Sequence, residues 1–162
     1  MIGKITQGKY FAGLIKYVTA KEGAYLLDSE GVLLQSLPGL IRSFETQSQM
    51  RPSLSNKVGH ISLNFSPRDK DRMTDEYMTG IAREYLQGMG ITDTQYLIVR
   101  HTDREHPHCH LVYNRVDNRG KAIPDGNDRY RNEKACKELT QKYGLYFSPG
   151  KERVNVDRLR EP

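Results

Sequence analysis

The stretch Tyr96-Leu-Ile-Val-Arg-His101-Thr-Asp103-Arg-Glu-His106-Pro107-His108-Cys109-His110-Leu-Val-Tyr-Asn114-Arg-Val116 decides the reading of this chain. β-branched and aromatic residues crowd both of its ends, which predicts two strands, 95–101 and 108–116. A short turn containing Pro107 joins them, so they pair as antiparallel neighbours. The chain has five histidines, and four of them fall between His101 and His110. Side chains on a strand repeat every second residue, so His108 and His110 project from one face. The turn folds His101 back beside them. Three neutral imidazoles converging with positions left open describe a catalytic metal site, whereas a closed structural zinc site takes four ligands that usually include cysteine. Cys109 has the opposite parity and is expected in the core.

The neighbours of these histidines carry open alternatives. Asp103 is read as an acceptor for the second N–H of a metal-bound imidazole, as a base for an attacking hydroxyl, or as a turn-forming aspartate. His106 falls in the turn itself and is a further candidate ligand. Asn114 shares the parity of His108 and His110, so its amide is expected on the same face.

Working outward, Val58 to Ser66 alternates: Ile61, Leu63 and Phe65 point one way, and His60, Ser62 and Asn64 the other. Phe11, Leu14, Ile15 and Val18 are spaced as one helix face over 11–21, with Tyr17 at its edge and Tyr10 just before it. A second helix is predicted after Ser36, with Pro38 in its first turn and Leu40, Ile41 and Phe44 inward. Between them lie a short apolar run, Tyr25-Leu26-Leu27, and an expected turn at Ser29-Glu30-Gly31. After Ser66-Pro67 and a charged linker, Thr74 caps a third helix whose inward residues are Met78, Ile81, Ala82, Tyr85 and Met89. Asp117-Asn118-Arg119-Gly120 reads as a hairpin turn, and a last helix is predicted from Glu133 to Tyr143, ended by Gly144. These elements predict an α/β (α+β) domain over 1–147, with a central, largely antiparallel sheet, the histidine strands in its middle, and helices packed on it. Residues 148–162 read as a charged tail leading into a further region.

At 162 residues, 36% hydrophobic and 28% charged, the composition is that of a soluble globular domain. No apolar run reaches the roughly 20 residues that span a bilayer, and no signal peptide opens the chain. With two cysteines only, this predicts a reducing, cytoplasmic setting. A net charge of +5 and a pI near 9.2 favour a polyanionic partner.

The order His-x-Asp-x-x-x-Pro-His-x-His-x-x-x-Asn from His101 to Asn114 resembles the third motif of the conjugative relaxases and mobilization nucleases. The likeness is greatest to the MOBP group, which includes the T-DNA nickases. His108-Cys109-His110 is similar to the histidine pair that names the HUH endonuclease superfamily. Gly13-Leu14-Ile15-Lys16-Tyr17-Val18-Thr19-Ala20-Lys21 resembles the first motif, and Gly59 to Ser66 the strand of the second. The resemblance implies a DNA nickase that cuts one strand at an origin of transfer during mobilization of a plasmid or mobile element. In it Tyr17 is the nucleophile, with Tyr10 the competing tyrosine, and the product is a 5′-phosphotyrosyl bond with a free 3′-hydroxyl. His101, His108 and His110 would hold a divalent metal ion, magnesium or manganese by resemblance, and imidazole ligands also admit zinc. Asp103, or a nearby group such as His60, would assist loss of the phenolic proton. Arg100, Asn114, Arg115, Arg129 and Tyr130 are candidate contacts to single-stranded DNA. Partners implied are single-stranded or supercoiled origin DNA, accessory mobilization proteins and a coupling protein. Three other readings compete. A rolling-circle replication initiator shares the chemistry, but its tyrosine follows the histidine pair. A single-strand DNA-binding module would bind without cutting. A metal-dependent hydrolase would use water and leave the protein unlabelled.

Overall fold

The computed structural model describes residues 1–147, and the charged tail called at 148–162 lies outside the described residues. The elements run β1 (Ile2–Gly8), α1 (Phe11–Ala20), β2 (Tyr25–Glu30), α2 (Leu37–Ser48), β3 (Val58–Asn64), a 3-10 helix over Pro67–Arg72, α3 (Asp75–Gly88), β4 (Tyr96–His101), β5 (His108–Asn114) and α4 (Asp128–Lys142). The strands form one sheet in the order β1-β3-β5-β4-β2. Every pairing is antiparallel. The two histidine strands therefore lie inside the sheet, β5 at its centre.

Strand parity divides the core. On one face Phe11, Ile15 and Val18 of α1 and Leu40, Ile41 and Phe44 of α2 pack on Val58, Leu97, Val99 and Val112. On the other, α3 and α4 cover Ile61, Leu63, Ile98, Cys109 and Leu111. Burying each of the larger side chains stabilises the domain by about 1.5–3 kcal/mol, so both helix layers are held firmly. Helix starts follow the capping residues: Ser36 Oγ accepts from the Gly39 N–H and Thr74 Oγ1 from the Tyr77 N–H.

Three local expectations are corrected. The turn placed at Ser29-Glu30 is the end of edge strand β2, and the chain turns instead at Gly31, φ +69°. The stretch after Ser66 is a 3-10 helix, not a linker. The last helix begins at Asp128, earlier than the Glu133 that its apolar spacing indicates, because its first turn is largely exposed and carries no periodicity. The turn expected at Asp117–Gly120 forms, with the Gly120 N–H donating to the Asp117 carbonyl and one antiparallel bridge, Val116 to Ala122, beside it.

Candidate active site and metal centre

At the end of the sheet where β3 and β4 finish and β5 starts, the register sets Asn64 opposite His108 and His101 opposite His108 on its other side. His60 lies across from Val112, two pairs further in than Ser62 and His110. This end of the α1 face is not covered by apolar side chains. It holds His60, His101, His108 and His110 instead, and α1 delivers Tyr17 over them. The Tyr17 ring centroid lies 6.2 Å from that of His101 and 6.5 Å from that of His110, both edge-on, and the side chain is 52% exposed.

Hydrogen bonds assign the free nitrogen of each ring. A carbonyl can only accept, so His101 Nε2, 2.8 Å from the Val18 carbonyl, carries a proton and leaves Nδ1 available. His108 Nδ1 donates to the His106 carbonyl at 3.3 Å, leaving Nε2. His110 Nδ1 is 2.9 Å from His60 Nε2, and His60 Nδ1 is 3.3 Å from Thr6 Oγ1. If His110 Nε2 faces an ion, one proton order satisfies the row: His110 donates to His60, and His60 to Thr6. One nitrogen from each of His101, His108 and His110 falls within 4.8 Å of the others. Metal–imidazole bonds of about 2.0–2.1 Å put two ligand atoms no more than roughly 4.2 Å apart, so small ring rotations close the triad on one ion.

Two further observations fit a cation. His108 Nε2 faces Asp103 Oδ1 at 3.4 Å. With Nδ1 protonated and the ring neutral, these are two lone-pair atoms facing one another, an arrangement a cation between them relieves. His108, His110 and their neighbour His60 are also pushed toward the neutral form, the form in which imidazole binds a metal. Burial, and then the charge of His101, lower the pKa of His60. Burial is the largest cause for His108 as well. His110 is pushed down to about 3 by burial and by His101, His60 and His108. In an unfolded chain His110 would protonate near pH 6.5. Its folded pKa is the lower one, so the unfolded state binds more protons between the two values. This contribution to stability is full above about pH 6.5 and is lost as pH falls toward about 3. In EDTA, the drop in urea midpoint from about pH 7.5 to about pH 5 should therefore be larger for the wild type than for His110→Gln.

Asp103 bridges outward. Its second oxygen lies 3.3 Å from Lys21 Nζ, at the end of α1. Burial pushes its carboxyl up, but the Lys21 hydrogen bond, its own backbone N–H and the charges of Lys21 and His108 outweigh this and hold it below the ordinary range. His106 stands outside the triad: its Nε2 is 3.1 Å from Asn64 Oδ1, and its carbonyl orients His108.

Several candidates are placed elsewhere. Asn114 has the expected parity but lies beneath α2, fully buried. Its amide donates to the Phe44 carbonyl and Gln95 Oε1 and accepts from the Val116 N–H, so it locks α2 to the sheet and cannot meet DNA. Arg115 is buried, donating to the carbonyls of Asn56 and Ile123. Arg100 pairs with Cys109 in register, which puts it on the α3 face, where it binds Asp75 at 2.9 Å. Tyr10 is 82% exposed at the N-cap of α1, about two turns before Tyr17. Arg129 and Tyr130 are exposed in the first turn of α4, beside the Asp125 that accepts from Gln7 near the far end of β1. They are not gathered with the histidines. Sequence reasoning assigned no role to Lys21 or Thr6, which only the tertiary arrangement brings to the site.

The family model for the relaxase, MobA/VirD2-like, nuclease domain matches residues 17–145. The chain belongs to this relaxase family. The relaxase fold is also that of solved structures. The MobM relaxase domain (MOBV; Mob_Pre), bound to a 26-nucleotide pMV158 oriT DNA, aligns with TM-score 0.55 at 11% identity, covering 91% of this chain and 90% of that one. A protein described under the molecular basis of vancomycin resistance transfer in Staphylococcus aureus aligns with TM-score 0.54 at 12% identity, covering 91% and 96%. No curated protein matches the relaxase. It is thus a DNA-nicking nuclease domain of mobilization. Among the described residues no helix is long and apolar enough to cross a membrane.

Proposed function

We propose that this relaxase nicks single-stranded origin-of-transfer DNA by attack of the Tyr17 hydroxyl on phosphorus, with a divalent ion held by His101 Nδ1, His108 Nε2 and His110 Nε2. The observation that carries the reading is the half-exposed Tyr17 ring edge-on to two rings of a compact three-histidine cluster. When bound, the ion, magnesium or manganese by family and zinc by ligand type, would supply positive charge to the non-bridging phosphate oxygens. The chain does the rest. Phenol oxygen forms the bond to phosphorus, the bond from phosphorus to the 3′ oxygen breaks, and the 3′ oxygen leaves as a hydroxyl after taking up a proton. The phosphodiester energy is kept in a 5′-phosphotyrosyl bond, so the strand can be rejoined.

Roles for the neighbours follow. Asp103, held acidic and already engaged with Lys21, is a weak proton acceptor and better suited to orienting that lysine. His60 fixes the tautomer of His110 through its 2.9 Å hydrogen bond. Arg129 and Tyr130 are kept as contacts to a more distant stretch of strand, by charge and stacking. Accessory mobilization proteins and a coupling protein are inferred from the family alone.

The test is a 3′-labelled pool of randomised single-stranded oligonucleotides incubated with the domain and Mn²⁺. A labelled protein band resistant to denaturant should form, and EDTA should prevent it. Binding without any adduct would support a non-catalytic module. A 5′-phosphorylated fragment released from unlabelled protein would support a water-using hydrolase.

A further inference from the structure

Lys21 closes α1 one helical turn after Tyr17. Its ammonium lies 3.3 Å from Asp103 Oδ2 and 5.5 Å from the centre of the Tyr17 ring. Two bonds hold this helix end against the histidine strands: the Val18 carbonyl accepts from His101, and the Gly23 carbonyl accepts from Thr102 Oγ1 at 3.0 Å. Gly23 has φ +84°, and a Cβ there would run into the Thr102 hydroxyl, so the close docking depends on glycine. The side chain is one-third exposed, which leaves the ammonium reachable from outside.

From this placement we infer that Lys21 is a catalytic cation of the nicking step, facing the phosphoryl group as it passes to the Tyr17 oxygen. During attack the phenolic proton passes to solvent water, the new O–P bond forms, the bond to the 3′ oxygen breaks, and that oxygen takes up a proton from water. The extra negative charge spreads over the attacking, non-bridging and leaving oxygens. Lys21 neither gains nor loses a proton. It is a fixed charge, and its bond to Asp103 aims it before DNA arrives, so little reorganisation accompanies the reaction. Asp103, first, and the Tyr17 phenol raise its pKa, so it is charged throughout the working range.

The inference rests on Tyr17 as nucleophile. Single-turnover adduct formation is measured with Mn²⁺ and the randomised oligonucleotide pool, over a range of DNA concentrations, for Lys21→Met, Lys21→Gln and Lys21→Arg. Lys16→Met, an exposed lysine of the same helix, is the charge-matched control. The rate at saturating DNA should fall about 10²-fold in Lys21→Met and Lys21→Gln. Most of it should return in Lys21→Arg, and Lys16→Met should be unaffected. Mn²⁺ affinity and the half-saturating DNA concentration should stay within about three-fold in all. A saturating rate within about two-fold of wild type in Lys21→Met, or a defect confined to DNA half-saturation, would overturn the inference. Adduct persisting in Tyr17→Phe would instead overturn the nucleophile assignment on which it depends.

Discussion

Replacing Tyr17 by phenylalanine is expected to abolish the covalent protein–DNA adduct while the domain stays folded and still binds Mn²⁺. The variant keeps the ring that packs edge-on to His101 and His110 and deletes only the oxygen that attacks. Removing a nucleophile outright costs about 10⁴-fold or more in rate, because no neighbouring group takes its place in the geometry. The measurement is the denaturant-resistant labelled band over a long incubation, beside calorimetric Mn²⁺ binding. Tyr10→Phe should nick as well as wild type, since Tyr10 is exposed at the other end of α1. Adduct lost in Tyr10→Phe and kept in Tyr17→Phe would move the nucleophile and remove the reason for placing the chemistry at the histidines.

The second large effect concerns the metal. Alanine at His101, His108 or His110 removes one of three nitrogens that lie within 4.8 Å of each other. Each variant should lose more Mn²⁺ affinity than the ~10–100-fold that follows removal of an outer hydrogen-bond partner. His60→Ala should fall within that smaller range, because His60 touches His110 rather than the ion. His60→Gln, whose side-chain oxygen can still accept from His110 Nδ1, should recover part of it. Calorimetric titration orders the four sites. Equal, small losses at all of them would mean that the triad does not hold the ion. A His106→Ala loss as large as that of His108→Ala would enlarge the ligand set, against the hydrogen bond that engages His106 with Asn64.

How much of this was legible in the chain depends on which kind of information each residue needs. The alternation at His108, Cys109 and His110 is local, and one rule of strand geometry is enough to separate two site residues from a core thiol. The same rule, applied at Asn114, names the correct face but not what covers it. Six residues further along β5 than His108, that face has passed under α2, and the amide became a packing lock. Arg100 shows the converse: its parity opposes that of His101, so its place on the α3 face follows from spacing that a search for basic residues near histidines ignores. Asp103 lies two residues from His101, yet the ring it faces is His108, because the second nitrogen of His101 is engaged by the Val18 carbonyl. The pairing of His60 with His110 depends on the β3–β5 register, and the reach of Lys21 to Asp103 depends on how α1 docks against the β4–β5 turn. Neither is encoded in local spacing. The start of α4 was hidden for a simpler reason, since an exposed Asp-Arg-Tyr-Arg turn has no hydrophobic period to read.

The most direct test of the central claim is to map where the DNA is attached. Trypsin cuts after Lys9, Lys16 and Lys21, which separates Tyr10 and Tyr17 into the peptides 10–16 and 17–21. The domain is allowed to react with single-stranded DNA and Mn²⁺, the DNA is digested to its terminal nucleotide, and the protein is digested and sequenced by mass spectrometry. A 5′-nucleotide mass on Tyr17, absent when EDTA is added, is the expected result. The same mass on Tyr10 or on any other residue, or a Tyr17 adduct that forms equally well without metal, would contradict it.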